Sequence, residues 1–349
     1  AHVTPVYKKG EKYKAVNYRP VSLTCILCKQ MEHIIASNIM QHLNHNNLLY
    51  DKQLGFSSNL YYVTLLIDFF SDVLKTVLDK KQCDTIVMDF RKAFDKVCHD
   101  RLVYKLDRVD IDPRTRDWIK SFLSDCSQKV VIDGEESQAV PVTSGVPQGS
   151  VLGPILFLIV IDDLPNYMKH SQVRLFADGT IVYLTISSID DCHKLQDDLK
   201  SLEQWEQDWL MEFHPAKCNV LRITKKKTRT SYPYTLHGQA LEEVTSAKYL
   251  GITISNDMTW NKHIDKTTSK ANSKLGFLKR NLKVKDQKLK EKAYKAIVRP
   301  TLEYCSTVWD PHSQQQTRSL EKVQRRAARW VTGRYHNTSS VTDMLNDLE

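Results

Sequence analysis

The sequence predicts an α+β fold, because strand-like segments are concentrated in the middle of the chain and helical ones towards its end. Residues 86–255 alternate short apolar, β-branched segments with helical ones, and residues 256–334 read as basic helices. The 349 residues are 41% hydrophobic and 26% charged, which is typical of a globular protein with a sizeable core. This composition excludes disordered and fibrous proteins.

Turn residues and apolar segments predict the individual elements. The extended segments 5–7 and 19–21 flank a polar turn around Gly10, which predicts a hairpin. Helices are expected at 34–43, 65–78 and 190–212, the last of them rich in Leu and Trp. Strands are expected at 85–88, 129–132, 173–176, 181–184 and 221–223.

Four residues near the start of the chain have a spacing close to that of a zinc finger. Cys25 and Cys28 are followed by His42 and His45, but only two residues separate the histidines, where such fingers have three to five. The same segment is typical of a helix with Lys29 and Glu32 outside and a packed apolar face of Ile26, Leu27, Met31, Ile34, Ile35 and Ile39. A packed helix is therefore favoured over a zinc site.

Cysteine usage and hydropathy bear on the compartment. Eight cysteines are scattered without a framework, which suits a reducing environment. The longest apolar run, 151–161, is about half the ~20 residues that a membrane span needs, and no basic-then-apolar leader opens the chain. We expect an intracellular protein, nuclear or cytoplasmic, that is neither secreted nor in a membrane. Since the first residue is Ala1 rather than Met, the chain is expected to be a fragment.

Positive charge is concentrated in the last third of the chain. Residues 217–334 contain 26 basic and 9 acidic residues, whereas the whole chain has a net charge of +9. Lysines recur every four residues on one predicted helix face, at Lys262, Lys266, Lys270 and Lys274. A phosphate backbone would relieve their mutual repulsion, so a nucleic acid is one candidate partner, and a solvated surface is the alternative.

Two acidic residues follow predicted strands. Asp89 comes directly after the apolar strand 85–88, and Asp178 lies between the strands 173–176 and 181–184. Two such acids on adjacent strands can hold hard divalent cations, and two metals roughly 4 Å apart support phosphoryl transfer. A Gly- and Pro-containing loop, 144–150, lies between them in sequence and would let a ligand approach the backbone. For either acid alone, a turn or a helix cap is the alternative.

Nine segments, in order, resemble the reverse transcriptases of non-LTR (LINE-type) retrotransposons. They are NYRPVSL at 17–23, MDFRKAFDKVCHDRL at 88–102, SGVPQGSVLGPILF at 144–157, RLFADGT at 174–180, HPAKC at 214–218, KYLGI at 248–252, LGFLKRNL at 275–282, VRPTLEYCSTVWDP at 298–311 and LEKVQRRAARWVTG at 320–333. One such motif is weak, but nine in the right order are specific.

The resemblance implies a right-hand polymerase fold with an antiparallel palm sheet and a helical thumb. Fingers would span 1–85, the palm 86–255, the basic thumb 256–334 and a C-terminal tail 335–349. It also implies RNA-directed DNA polymerase activity, in which a DNA primer is extended on an RNA template from deoxynucleoside triphosphates. Two Mg²⁺ ions, with Mn²⁺ as a substitute, would serve as cofactors.

The resemblance assigns roles to individual residues. Asp89 and Asp178 would be the metal ligands, and Lys217 would protonate the leaving pyrophosphate. The nucleotide-binding residues would be Lys8 or Lys9, Arg19, Phe94, Gln148 and Gly149, with the Phe94 ring excluding a ribose 2′-hydroxyl. The primer grip would be Tyr249, Leu250 and Gly251, and the template-primer surface would be Lys262, Lys266, Lys270 and Lys274.

Two departures from the family pattern bear on activity. Gly179 stands where the family has a second aspartate, and the pair Asp162 and Asp163 is not its replacement. After Gly55 and Phe56 the family has an arginine, whereas this chain has Ser57. The alternative function is therefore a catalytically inactive, nucleic-acid-binding remnant. A DNA-dependent or RNA-making polymerase is a third interpretation, which Phe94 disfavours.

Overall fold

The computed structural model describes residues 1–53, 55, 62–336 and 340–346, without the side chains of 345 and 346. The predicted departure at Phe56 and Ser57 lies outside these residues. Contacts divide the chain into two units, Ala1–Val244 and Thr245–Glu349.

The first unit contains two five-stranded sheets, one two-stranded sheet and several helices. Its strands are β1 His2–Tyr7, β2 Tyr18–Leu23, β3 Gln82–Met88, β4 Ser127–Ile132, β5 Glu135–Glu136, β6 Val140–Pro141, β7 Gln172–Phe176, β8 Gly179–Ile186, β9 Asn219–Ile223, β10 Thr235–Leu236, β11 Gln239–Ala240 and β12 Glu242–Glu243. Its α-helices are α1 Ile26–His45, α2 Tyr62–Leu78, α3 His99–Arg108, α4 Pro113–Leu123, α5 Leu152–Ile161 and α6 Ile189–Trp209.

One five-stranded sheet has the strand order β12-β9-β3-β8-β7 and carries the predicted acids at one end. Strand β3 lies at its centre, antiparallel to both β8 and β9, and every residue of β3 is buried. Burial on both faces explains why its last four residues, Thr85 to Met88, form a continuous apolar and β-branched run, whereas the buried Gln82 and Asp84 are joined by a 2.7 Å hydrogen bond. The predicted strands and the helices at 34–43, 65–78 and 190–212 are confirmed.

The other five-stranded sheet has the order β2-β1-β4-β5, with β6 also paired to β4. Strands β1 and β2 form the predicted hairpin, with Val6 opposite Arg19. Strand β4 lies within the predicted palm range but pairs with β1. The division of this unit into fingers and palm stays a prediction.

Helix α1 turns a different face inward from the predicted one. Glu32, expected outside, is fully buried, whereas Ile26, Leu27 and Ile34, expected to pack, are 77%, 82% and 60% exposed. The reason is tertiary, because the Glu32 carboxylate accepts hydrogen bonds from the backbone at the start of α5.

The zinc interpretation fails on geometry. Cys28 and His42 lie on the single helix α1, and 14 residues at 1.5 Å per residue separate them by about 21 Å. The Nε2 atom of His42 lies 2.9 Å from the Val109 carbonyl oxygen instead. All eight cysteines are unpaired. In the part of the chain that the structure describes, no helix is long and apolar enough to cross a membrane.

The second unit begins with a hairpin and continues as helices. Its elements are β13 Ser246–Tyr249, β14 Ile252–Ser255, α7 Asn261–Asn281, α8 Gln287–Ile297, α9 Arg299–Glu303, α10 Ser306–Trp309, α11 Gln314–Thr332 and α12 Val341–Asn346. Helix α7 buries an apolar face of Ile264, Ala271, Leu275 and Leu278. Ala271, Leu275 and Leu278 belong to the small core that this unit forms with residues of α11.

Candidate active site

The two predicted acids lie at the same end of neighbouring strands. Strands β3 and β8 pair with Met88 opposite Thr180, so Asp89 leaves the sheet beside the first residues of β8. Asp178 lies in the two-residue turn between β7 and β8, whose ends Phe176 and Gly179 are paired. Although 89 residues separate them in sequence, the antiparallel register brings both acids to one edge of the sheet.

The electrostatics of Asp178 connect it to Asp89 and to the first hairpin. Partial burial raises the pKa of the Asp178 carboxyl, and the negative charge of Asp89 raises it further. The positive charges of Arg19 and Lys8 act in the opposite direction and lower this pKa. Arg19 and Lys8 are thus close enough to act on Asp178, and their binding of a triphosphate stays a prediction.

Lys217 is brought directly to Asp89. Its Nζ atom lies 3.1 Å from Oδ2 of Asp89, and both side chains are about half exposed, at 55% and 43%. The backbone of the same segment is anchored too, since the His214 N–H donates to the Asp89 carbonyl at 2.8 Å. Sequence reasoning proposed Lys217 as a proton donor, and the geometry shows in addition that it supplies a counter-charge to Asp89.

Gly179 is the first residue of β8, directly after Asp178. An aspartate here would add a third carboxylate to the edge that carries Asp89 and Asp178. Among the residues that the structure describes, no group of three or more His, Cys, Asp or Glu is arranged to hold a metal ion. Asp162 and Asp163 accept hydrogen bonds elsewhere, from the Tyr50 N–H and the Trp205 indole N–H, and that neither replaces the missing aspartate stays a prediction.

The loop 144–150 is attached to the segment that follows Asp89. The Val146 N–H donates to the Phe94 carbonyl at 2.8 Å, and the Ser144 hydroxyl donates to the Asp95 carbonyl at 3.0 Å. The Phe94 ring is half-buried and stacks on the buried Phe157, with ring centroids 4.8 Å apart. Packing therefore fixes the ring that the resemblance assigns to discrimination against ribonucleotides.

Gln148 and Gly149 also contact the first hairpin. The Ser22 N–H donates to the Gln148 carbonyl at 2.7 Å. Gly149 has a φ of +108°, and a Cβ at this position would lie 2.8 Å from the Ser22 carbonyl oxygen. Sequence reasoning explained the glycines of the loop 144–150 by the approach of a ligand. At Gly149, however, the close approach is made by strand β2 of the protein itself.

Two residues of this region escaped sequence reasoning. Asp95 accepts a hydrogen bond of 2.8 Å from Nε2 of Gln148. Glu32 caps the start of α5 through bonds of 2.6 Å and 3.1 Å from the N–H groups of Val151 and Leu152. A buried acid at a helix N-terminus is stabilised by the helix dipole. Because the partners of Glu32 lie 119 and 120 residues away in sequence, no local sequence pattern predicts this contact.

The predicted primer grip is a tight turn in the second unit. Leu250 and Gly251 join β13 to β14 with φ values of 43° and 86°. The Tyr304 hydroxyl donates to the Leu250 carbonyl at 2.9 Å. The Tyr249 side chain is 3% exposed, so it supports the turn from inside, and only the turn backbone is presented outward.

Three of the four predicted lysines line a pocket of about 570 Å³ in the second unit, here called the lysine pocket. Its polar lining comprises Lys248, Lys266, Lys270, Lys274, Thr253, Thr267, Thr301, His263 and Tyr304. Lys274 is held at its rim by a 2.7 Å bond to the Thr301 hydroxyl. Lys262 is not part of the lining, and its Nζ donates to the Thr245 hydroxyl at 2.7 Å.

A neutral histidine lies in the wall of the lysine pocket. His263 is 4% exposed, and burial together with the charge of Lys266 lowers its pKa to about 4. Its Nδ1 accepts a hydrogen bond of 3.2 Å from the Thr253 N–H. The positive charge of the pocket therefore comes from its lysines.

Comparison with solved structures identifies the class of protein to which this fold belongs. A telomerase from Candida tropicalis, solved with a fragment of telomeric RNA, superposes with a TM-score of 0.50 over 96% of this chain and 62% of the telomerase, at 12% identity. At this identity the likeness concerns the fold alone. The fold is that of the right-hand polymerases, as predicted.

The chain belongs to the reverse transcriptase (RNA-dependent DNA polymerase) family, whose sequence model matches residues 6–254. It is 28% identical to a probable RNA-directed DNA polymerase from transposon BS of Drosophila melanogaster, over 95% of this chain and 38% of that protein. It is 27% identical to the RNA-directed DNA polymerase from mobile element jockey of the same species, over 95% and 37%. The predicted family is confirmed, and the chain spans less than two fifths of the length of these relatives.

Proposed function

We propose that this chain is the polymerase core of a non-LTR retrotransposon and extends a DNA primer on an RNA template inside the cell. The observation that carries the proposal is the pair Asp89 and Asp178, at one edge of an antiparallel sheet with Lys8, Arg19 and Lys217 around it. Acids flanked by cations fit a reaction on a polyanionic nucleotide.

In the proposed reaction the primer 3′-hydroxyl attacks the α-phosphorus of a deoxynucleoside triphosphate. A new P–O bond forms, the bond to the β-phosphate breaks, the hydroxyl proton is released, and pyrophosphate leaves. Arg19 and Lys8, rather than Lys9, would bind the triphosphate, because they are the two hairpin cations that act on Asp178. Lys217 would protonate the pyrophosphate from its position beside Asp89.

The carboxylates fit Mg²⁺ or Mn²⁺, which bind hard oxygen ligands. Asp89 already attracts one cation, Lys217. The negative charge of Asp89 also raises the pKa of Asp178, and a bound divalent ion would relieve this repulsion between the two carboxylates. When bound, such ions activate the attacking oxygen and stabilise the leaving one. Asp89 and Asp178 would be the side-chain ligands.

The remaining site residues have proposed roles in holding substrates. Phe94 would select deoxynucleotides, and Gln148 and Gly149 would contact the incoming nucleotide. The backbone of Leu250 and Gly251 would grip the primer, since the Tyr249 ring is buried. The lysine pocket would hold phosphates of the template-primer. We retain fingers, palm, thumb and tail at 1–85, 86–255, 256–334 and 335–349 as proposed domains.

A second candidate is a catalytically inactive remnant that binds nucleic acid. Gly179 favours it, because two carboxylates balance two divalent cations less well than three. Losing one charge at short range in a partly dry site costs several kcal/mol, and each ~1.36 kcal/mol is a factor of ten in rate.

Primer extension on an RNA template with Mg²⁺ tests the proposal and its alternative. We expect weak extension by the natural chain and at least ~10²-fold faster extension by Gly179→Asp, which corresponds to about 2.7 kcal/mol. Gly179→Asn is the matched control, because it adds nearly the same volume without charge and should not raise the rate. If no variant extends a primer while all of them bind template-primer, the remnant is the correct function. If Gly179→Asp and the natural chain are equally fast, the charge argument is wrong.

A further inference from the structure

The bond between Asp95 and Gln148 has a definite direction. Nε2 of Gln148 lies 2.8 Å from Oδ1 of Asp95. A carboxylate can only accept hydrogen bonds, whereas an amide carries a donor group on one side and an acceptor on the other. Asp95 therefore accepts only the orientation in which the amide NH₂ of Gln148 faces it.

Both partners are held from the backbone, so the remaining freedom is the amide flip itself. The Asp95 N–H donates to the Lys92 carbonyl at 3.0 Å, and its carbonyl accepts from the Ser144 hydroxyl at 3.0 Å. The carbonyl of Gln148 accepts from the Ser22 N–H at 2.7 Å. Turning the Gln148 amide over would bring Oε1 against the carboxylate, which repels it.

The fixed amide leaves one acceptor for a ligand. Gln148 is half-buried, and within the described ranges no group donates to its Oε1. A bound molecule that donates an N–H or O–H can therefore use this oxygen without displacing a protein group.

We propose that Asp95 is a positioning residue, which orients the Gln148 amide so that Oε1 accepts a hydrogen bond from the incoming nucleotide or its base pair. The inference rests on the proposed function, in which Gln148 contacts the nucleotide. Asp95 itself acts through Gln148.

A charge-preserving swap tests this orientation. In Asp95→Asn the amide of residue 95 satisfies either orientation of Gln148, so the correct one is no longer enforced. In Gln148→Glu two carboxylates face each other and repel. In the double variant Nδ2 of the new asparagine donates to one Glu oxygen and leaves the other as an acceptor, with the net charge of the natural chain.

The readout is affinity for the next complementary deoxynucleotide on a dideoxy-terminated primer, so that no chemistry is needed. Retention of labelled template-primer against a heparin trap reports this affinity at each nucleotide concentration. Asp100→Asn is the matched control, because it removes one exposed charge from the same part of the chain. Thermal unfolding of each variant without ligand monitors the fold separately.

We expect Asp95→Asn to have opposite effects on nucleotide affinity in the natural chain and in the Gln148→Glu variant. Asp95→Asn should weaken nucleotide binding about twofold to fivefold in the natural chain, because the competent orientation is only partly populated. Added to Gln148→Glu, it should strengthen binding at least ~5-fold, and Asp100→Asn should not. Equal effects of Asp95→Asn in both backgrounds, or equal rescue by Asp100→Asn, would overturn the inference. If neither the natural chain nor Gly179→Asp shows nucleotide-dependent retention while both hold template-primer, the nucleotide site is wrong and the inference falls with it.

Discussion

The two units of the chain differ in charge and in the use they make of it. The first unit has 30 basic and 31 acidic residues, whereas the second has 20 basic and 10 acidic in less than half the length. In the first, a few acids are concentrated at one sheet edge; in the second, lysines surround a pocket. The difference suits the proposed function, in which a few placed charges would specify the chemistry and a general excess of positive charge would hold nucleic acid.

The units also differ in how firmly their functional side chains are held. Asp89, Asp95 and Gln148 each have a specific partner within the first unit. In the second unit the exposed side chains of Lys248 and Lys270 line the lysine pocket. Neither side chain has a hydrogen-bond partner in the part of the chain that is described. Fixed groups suit a reaction at one phosphorus atom, whereas exposed cations suit a backbone that moves past them.

Replacing Asp89 by Asn should distinguish most sharply between the contributions of the two units to primer extension and to template-primer binding. In the Gly179→Asp chain we expect primer extension to fall by at least ~10³-fold, about 4 kcal/mol, because one of the charges at the reacting phosphate is lost. Template-primer affinity, measured by filter binding, should stay within about twofold. A comparable loss of binding would show that the sheet edge, and not the second unit, carries the affinity.

His263 should make the second unit sensitive to acid. Its pKa is about 4 in the folded chain and about 6.5 when unfolded, so below pH 6.5 the unfolded state binds more protons. Stability should therefore be fully present above pH 6.5 and fall as the pH drops towards 4, by about 3 kcal/mol at most. Urea unfolding between pH 7 and 4 measures this.

The control for this prediction is His263→Asn, which keeps an acceptor for the Thr253 N–H. Other buried groups, such as Glu206 with a pKa of about 7, titrate in the same window but cancel in the difference between the two chains. Parallel curves for the two chains would mean that His263 does not carry the dependence.

The smallest expected effect concerns the lysine pocket. Replacing Lys266 and Lys270 together with Ala should lower the salt slope of template-primer binding by roughly two units, and the affinity by roughly tenfold at 0.1 M salt. Lys262→Ala is the matched control, because this lysine lies on the same helix outside the pocket lining. Equal slopes for all three chains would indicate a solvated surface.

The sheet and its acids were predictable because their signals are local. An apolar strand followed by Asp89, and a two-residue turn containing Asp178, can be recognised within ten residues of sequence. The buried face of α1 was not predictable from the sequence. The apolar residues of that helix outnumber its buried acid, so the apolar pattern predicts a different face. The bond that turns Glu32 inward is made with α5, more than a hundred residues away.

The burial of Tyr249 in the predicted primer grip was missed for a different reason. Strand β13 alternates, with Ala247 and Tyr249 buried and Lys248 exposed. The alternation is present in the sequence, so the burial of Tyr249 could have been predicted from period two alone. The pairing of Asp95 with Gln148 could not, because the two lie in different motifs and only the folded loop joins them.

The central position of β3 has a consequence for synthesis of the chain. Its neighbours β8 and β9 end at Ile186 and Ile223, about 100 and 135 residues after Met88. At ~5–20 residues per second, a nascent β3 waits roughly 7 to 27 s for its second partner. Both edges of β3 are unpaired until β8 emerges, and one edge stays unpaired until β9 follows, so a ribosome-bound chain of this length should depend on holdase chaperones until β9 has emerged.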